Sequence, residues 1–238
     1  MGRQLEFLVD TMIRDPVAMV IPRHLLASNA TTSYEVCGII LNHLISRMDD
    51  LALARSDGIV FLDPPGDEEE DENSTTDKRF QRKISLPVES DEMIRQRSTT
   101  LLHLFERILK SLAVYPENEY LVRRHLRQIV VACVRSSVEN PNVWPDSYCM
   151  LLRYVFRSIS AGKFEESYKE LLPLIPTVLN GLYRIICASV ELSVRHTAIE
   201  LCLTIPARLS SLLPHMNLLL RVIVLALVSD VGDLVNLG

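Results

Sequence analysis

The chain has 238 residues, 48% of them hydrophobic and 23% charged, with 25 basic against 30 acidic side chains for a net of −5. That balance suits a folded protein long enough to bury a core and excludes a wholly disordered one; 8 glycines without a G-X-Y period exclude collagen. A net negative charge gives no overall basic field to attract nucleic acid.

The N-terminus, Met1-Gly2-Arg3-Gln4, lacks the basic-then-apolar layout of a signal peptide, and Glu6 stands where N-myristoylation needs Ser or Thr. An antiparallel pair of helices is expected at 4–14 and 33–48, making 1–62 an N-terminal helical repeat. The sequons Asn29-Ala30-Thr31 and Asn73-Ser74-Thr75 read as chance matches without such a signal.

Helical rhythm stops after Asp49. Asp63, Asp67, Glu68, Glu69, Glu70, Asp71 and Glu72 crowd one short stretch, and without these seven acids the rest of the chain is +2. Pro64-Pro65-Gly66, the acid run and Asn73-Ser74-Thr75-Thr76 bury too little apolar surface to offset ordering entropy, so 63–88 is expected as an acidic, disordered loop. Within it Arg82-Lys83-Ile84-Ser85 resembles a basophilic kinase site and makes Ser85 a candidate phosphorylation site, a match that random loops also produce.

From 89 to 238 the periodicity is helical throughout. Ser90, Asp91 and Glu92 supply a cap and first-turn acids for a helix whose Ile94, Leu101, Phe105, Ile108 and Leu112 share a face. Val122, Leu126, Ile129, Val130 and Cys133 follow the i, i+4, i+7, i+8, i+11 pattern of the next. Tyr148, Leu151, Leu152, Val155 and Ile159 form a third stripe after Pro145, and Gly162 ends it. Further helices are expected over 166–188, 191–209 and 212–228. Leu171-Leu172-Pro173 recurs 41 residues on as Leu212-Leu213-Pro214. Periods of about 40–47 residues built from two antiparallel helices mark HEAT-type arrays. The expected fold is all-α: an α–α superhelix, or HEAT-repeat solenoid, pairing 91–113 with 121–138, 146–160 with 168–188 and 191–209 with 212–228. The apolar end, Leu234 to Gly238, reads as a cut edge of a longer array.

Five scattered cysteines, Cys37, Cys133, Cys149, Cys187 and Cys202, form no C-x-x-C pair. They suit free thiols in a reducing compartment better than disulfides or zinc. The most apolar run, Leu218 to Val228, is interrupted by Arg221, so no membrane span is expected.

No catalytic constellation is recognisable. Ser160-Ala161-Gly162-Lys163 fits S-x-x-K without the companion motifs S-D-N and K-T-G, and Phe164 replaces the Ser or Thr a P-loop needs after Gly162-Lys163. His24, His43, His103, His125, His196 and His215 lack metal-ligand spacing. No catalytic, cofactor or metal site is therefore expected, nor a small-molecule substrate. One basic feature stands out. Taking Val122 as zero, Arg124, Arg127 and Arg135 fall at roughly 200°, 140° and 220°, opposite a stripe near 30°. They read either as a solvated helix face or as a protein-binding ridge for an acidic partner, the chain's own acidic loop included.

A family resemblance emerges in the C-terminal half. The run Glu200-Leu201-Cys202-Leu203-Thr204-Ile205-Pro206-Ala207-Arg208-Leu209-Ser210-Ser211-Leu212-Leu213-Pro214 resembles the HEAT region of the TRRAP (transformation/transcription domain-associated protein) family. So do Leu151-Leu152-Arg153-Tyr154-Val155-Phe156-Arg157-Ser158-Ile159 and Tyr168-Lys169-Glu170-Leu171-Leu172-Pro173-Leu174-Ile175-Pro176, in the same order. These are repeat motifs and transfer no active site. The resemblance implies a non-enzymatic scaffold fragment of a phosphatidylinositol-3-kinase-related pseudokinase, shared by the nuclear SAGA and NuA4/TIP60 histone acetyltransferase complexes. Its implied partners are transcriptional activators and complex subunits, without direct sequence-specific nucleic-acid contact. The alternative is a HEAT adaptor of another class: a nuclear-transport carrier, a phosphatase scaffold or the solenoid of an active related kinase.

Overall fold

A computed structural model describes residues 2–54, 91–138, 143–159, 164–189, 191–205 and 212–228. The acidic loop at 63–88 with Ser85, the Ser90 cap, the Gly162 helix stop and the C-terminal edge lie outside the described residues. Among those residues the elements are α1 (Gly2–Arg14), α2 (Val20–Ser28), α3 (Ala30–Ser46), α4 (Asp91–Val114), α5 (Glu119–Val138), α6 (Asp146–Ile159), α7 (Glu165–Leu171), α8 (Ile175–Ala188), α9 (Leu192–Thr204) and α10 (Met216–Leu227).

The chain alternates between two rows of helices. One row runs α4, α6, α9; the other runs α3, α5, α8, α10. Contacts cross between the rows where α3 meets α4, α5 meets α6, and α8 meets α9, while α1 and α2 pack on α4. This is the stacked, two-layer plan of a helical solenoid, in which each hairpin hides its apolar face only against its neighbours. The stripes read from the sequence are the faces that do so: Val122, Leu126, Ile129, Val130 and Cys133 of α5 are all buried, as are Tyr148, Leu151, Leu152, Val155 and Ile159 of α6.

The 41-residue repeat has a structural counterpart. A 3-10 turn at Leu172–Leu174 leads into α8 at Ile175, and a 3-10 turn at Leu213–His215 leads into α10 at Met216. Proline is the second residue of each of these turns and the first residue of those at Pro116–Asn118 before α5 and at Pro16–Met19 before α2. Proline has no N–H to lose in a first turn, so it fixes where these helices start without costing a hydrogen bond.

Two expectations need correction. The helix expected over 168–188 is α7 and α8 separated by the turn at Leu172–Leu174, because Pro173 and Pro176 prevent one unbroken ladder. Among the described residues, 2–54 hold three α-helices rather than a pair: α2 fills the stretch between 14 and 30, with Pro22 tolerated in its first turn. Asn29, the first sequon asparagine, caps α3 by accepting from the Thr32 N–H at 2.9 Å. Taken together, Glu165–Ala188 is long and apolar enough to cross a membrane by length and composition. The turn interrupts it, and Tyr168, Leu171, Val178, Leu182 and Ile185 are buried, in a segment that packs on α5 and α9.

Buried polar side chains tie distant segments together. Asn118 donates to the Ser33 hydroxyl at 2.9 Å and to the Ser111 hydroxyl at 3.1 Å; these in turn donate to the Leu26 and Ile108 carbonyls. Ser98 donates to the Leu51 carbonyl at 3.1 Å, and the Tyr148 hydroxyl donates to the Met48 carbonyl at 3.2 Å. A two-residue antiparallel ladder, Leu53–Ala54 with Val143–Trp144, fixes the same strip of chain. It is a local clasp between loops, not a sheet layer.

The rows are also pinned from outside. Glu200 on α9 accepts from Arg153 at 2.8 Å and from Arg157 at 3.2 Å, both on α6. Arg157 is largely exposed and screened by solvent, so the Arg153 bond carries most of the effect. Glu200→Ala is expected to cost about 1–2 kcal/mol, read as a lower urea midpoint at unchanged slope.

Candidate functional site

The basic ridge is built by the same periodicity that buries the opposite side of α5. Arg124, Arg127 and Arg135 are all exposed, on the face away from the buried stripe. Two more exposed side chains share it: Tyr120 at 52% and Val131 at 44%. Positions 120, 124, 127, 131 and 135 step by four and three residues, which draws one outward line along the helix. The ridge is therefore basic side chains interleaved with one aromatic and one aliphatic group. Reading charge alone overlooks Tyr120 and Val131, although their spacing carries the signal.

Local contacts hold part of this surface. The Arg123 and Arg124 guanidiniums each lie 5.9 Å from the Tyr120 ring centroid, within cation–π range. Arg123 turns to the side and pairs with Glu170 of α7 at 3.7 Å. At the start of α5, Glu119 accepts from the Ser167 hydroxyl. These bonds fix the base of the ridge against α7 and leave Arg124 presented outward with the tyrosine.

The nucleophiles are placed very differently. Cys37, Cys133, Cys149 and Cys202 are buried and Cys187 is exposed. Burial pushes the Cys37, Cys149 and Cys202 thiols up to about 12, and the Cys133 thiol well above its usual value. Such thiols stay protonated and unreactive, so they pack as small apolar groups. Glu106 is acted on in opposite directions: burial raises its carboxyl, but hydrogen bonds and charge from Lys110 and His103 bring it below the usual range. Burial also raises Asp146, in the first turn of α6. Among the described residues no group of three His, Cys, Asp or Glu side chains could hold a metal ion.

Kinship agrees with the stacked helical architecture. The model of the Tra1 HEAT repeat central region matches residues 1–238, the whole chain. The chain belongs to the Tra1 family. It is 40% identical over 133 residues to transcription-associated protein 1 of Drosophila melanogaster, covering 56% of this chain and 4% of that protein. It is 39% identical over 132 residues to the SAGA complex/NuA4 acetyltransferase complex subunit Tra1 of Schizosaccharomyces pombe, covering 55% of this chain and 4% of the relative. With the human transformation/transcription domain-associated protein it shares 38% over 133 residues, covering 55% of this chain and 3% of that one. As a Tra1 segment the chain is a HEAT-repeat scaffold piece, and the kinship does not favour the transport-carrier or phosphatase-scaffold alternatives.

Proposed function

We propose that this Tra1-family segment works without catalysis, as part of a nuclear histone acetyltransferase coactivator of the SAGA and NuA4 kind, and that the outer face of α5 receives acidic activator segments. Two of the relatives are SAGA and NuA4 subunits by name, which supports the complex membership and, through it, the nuclear location. The observation that carries the docking surface is the outward line of Tyr120, Arg124, Arg127, Val131 and Arg135. Acidic segments that fold on binding present carboxylates beside a few apolar anchors, and this line offers cations beside Tyr120 and Val131 in register with a helix. Positive charge also speeds the encounter, with an on-rate that falls as salt rises.

The test is reversal of Arg124, Arg127 and Arg135 to Glu in the 238-residue chain. All three are exposed, so the fold should survive, as far-ultraviolet circular dichroism would verify. Affinity for a fluorescent acidic activation peptide should fall at least tenfold, and unchanged affinity would remove α5 as the docking face. Co-purification of acetyltransferase-complex subunits with the same chain probes the complex membership separately.

A further inference from the structure

We propose that the cleft between α1 and α4 is a binding site for a small molecule bearing more than one phosphoryl group. The cleft encloses about 480 Å³, within the range of small-molecule sites. Its cations come from segments far apart in sequence: Arg14 closes α1, and Arg95 and Arg107 stand on α4. On α4 the positions 95, 99, 103 and 107 recur every fourth residue and so share one face, with Arg95 and Arg107 about 18 Å apart along the axis. Thr99 and His103 lie between them, Gln96 and Thr100 beside them, and Met12 and Met19 supply an apolar wall.

Among the described residues the lining is rich in donors and holds no carboxylate, and Glu92 beside it accepts from the Gln96 amide at 3.3 Å. Glu106, three residues from His103, is already shared between Lys110 at 2.6 Å and His103 at 3.5 Å. Among the described residues Arg14, Arg95 and Arg107 have no acidic partner, and the buried Nε of Arg107 has no acceptor. Arg107 also lines a smaller adjoining cleft of about 120 Å³ with Arg23 and Lys110, which extends the cationic surface further along α4.

Guanidinium donates through five N–H groups in a fixed fork and accepts nothing, so three of them select an occupant dense in acceptors. A terminal phosphoryl group concentrates up to two charges and three oxygens on one centre and matches that fork. An extended acidic peptide is the poorer fit, because alternate side chains point away from the cleft and only every second carboxylate would enter it. Two separated arginines on one helix face require charge at both ends of the ligand. Hence more than one phosphoryl group.

Titration calorimetry of the 238-residue chain with inorganic tripolyphosphate tests this. Binding in the micromolar range is expected, weakening as salt rises. Arg14→Gln, Arg95→Gln and Arg107→Gln should each weaken it at least tenfold, while Arg184→Gln on α8 leaves it unchanged. Because Arg107 is partly buried, the exposed Arg95 keeps the test decisive should the Arg107 variant fold poorly. Absence of binding would overturn the proposal. Equal binding by all variants, which marks diffuse attraction, would do the same. So would a synthetic peptide of residues 63–72 that binds as tightly through the same arginines, since the cleft would then be a peptide site.

Discussion

Phe105→Ala is expected to destabilise the chain by about 3–5 kcal/mol, the usual cost of deleting a fully buried aromatic ring. Phe105 is 1% exposed on α4, the helix that packs on α6 along its own row and on α2 and α3 across it. The loss combines the ring's transfer free energy with a cavity that stacked neighbours cannot close, since every helix around it is held by its own contacts. A solenoid couples mainly between adjacent repeats, so the damage should be local. Hydrogen exchange should show α3 to α6 losing protection while α8 and α9 keep most of theirs, and the urea midpoint of the N-terminal units should fall first. Phe7, 74% exposed on α1, provides the contrast: Phe7→Ala should stay within about 0.5 kcal/mol of the parent. Equal effects at the two phenylalanines would mean that the stacked-hairpin core is misplaced.

Such local coupling explains why so much of the fold was legible in one dimension. The stripe of α5 needs only its own five residues to define which side faces inward, and all five are buried. The Leu-Leu-Pro pair 41 residues apart likewise marks two helix starts through proline's effect on its own turn. Two helix boundaries differ from expectation. α2, with Pro22 in its first turn, occupies the stretch between the two expected N-terminal helices; Pro173 and Pro176 look tolerable one at a time but together divide α7 from α8. Features that depend on pairing distant residues were out of reach. The clasp of Leu53–Ala54 on Val143–Trp144 and the Asn118–Ser33 bond have no local signature. Nor does the cleft, whose Arg14 and Arg95 meet only once α1 lies against α4. The ridge sits between these cases: its charges follow from helical phase, and Tyr120 and Val131 complete it by the same arithmetic.

Alkaline pH should unfold the chain steeply, through its thiols. Cys37 on α3, Cys133 on α5, Cys149 on α6 and Cys202 on α9 are all buried, and burial raises each above the ordinary value of 9.0, three of them to about 12. Below pH 9 folded and unfolded chains both keep these protons, so the thiols' stabilising share is fully present. Between 9 and about 12 the unfolded chain releases them and the folded chain does not, so stability falls as pH rises, by about 1.4 kcal/mol per pH unit for each thiol. Four thiols together lose about 5 kcal/mol per pH unit, comparable to the whole stability of a typical domain. The buried Tyr148 hydroxyl, raised chiefly by burial, adds to the slope in the same direction. Urea midpoints measured across this window should therefore drop almost linearly, and Cys149→Ala should remove about a quarter of the thiol contribution to the slope. A double variant, Cys149→Ala with Cys202→Ala, should halve that contribution while costing little packing volume. If its alkaline slope matched the parent's, the thiols would have to be reachable by water in the folded chain, and the interfaces of α6 and α9 that enclose them could not be as tightly closed as their burial requires.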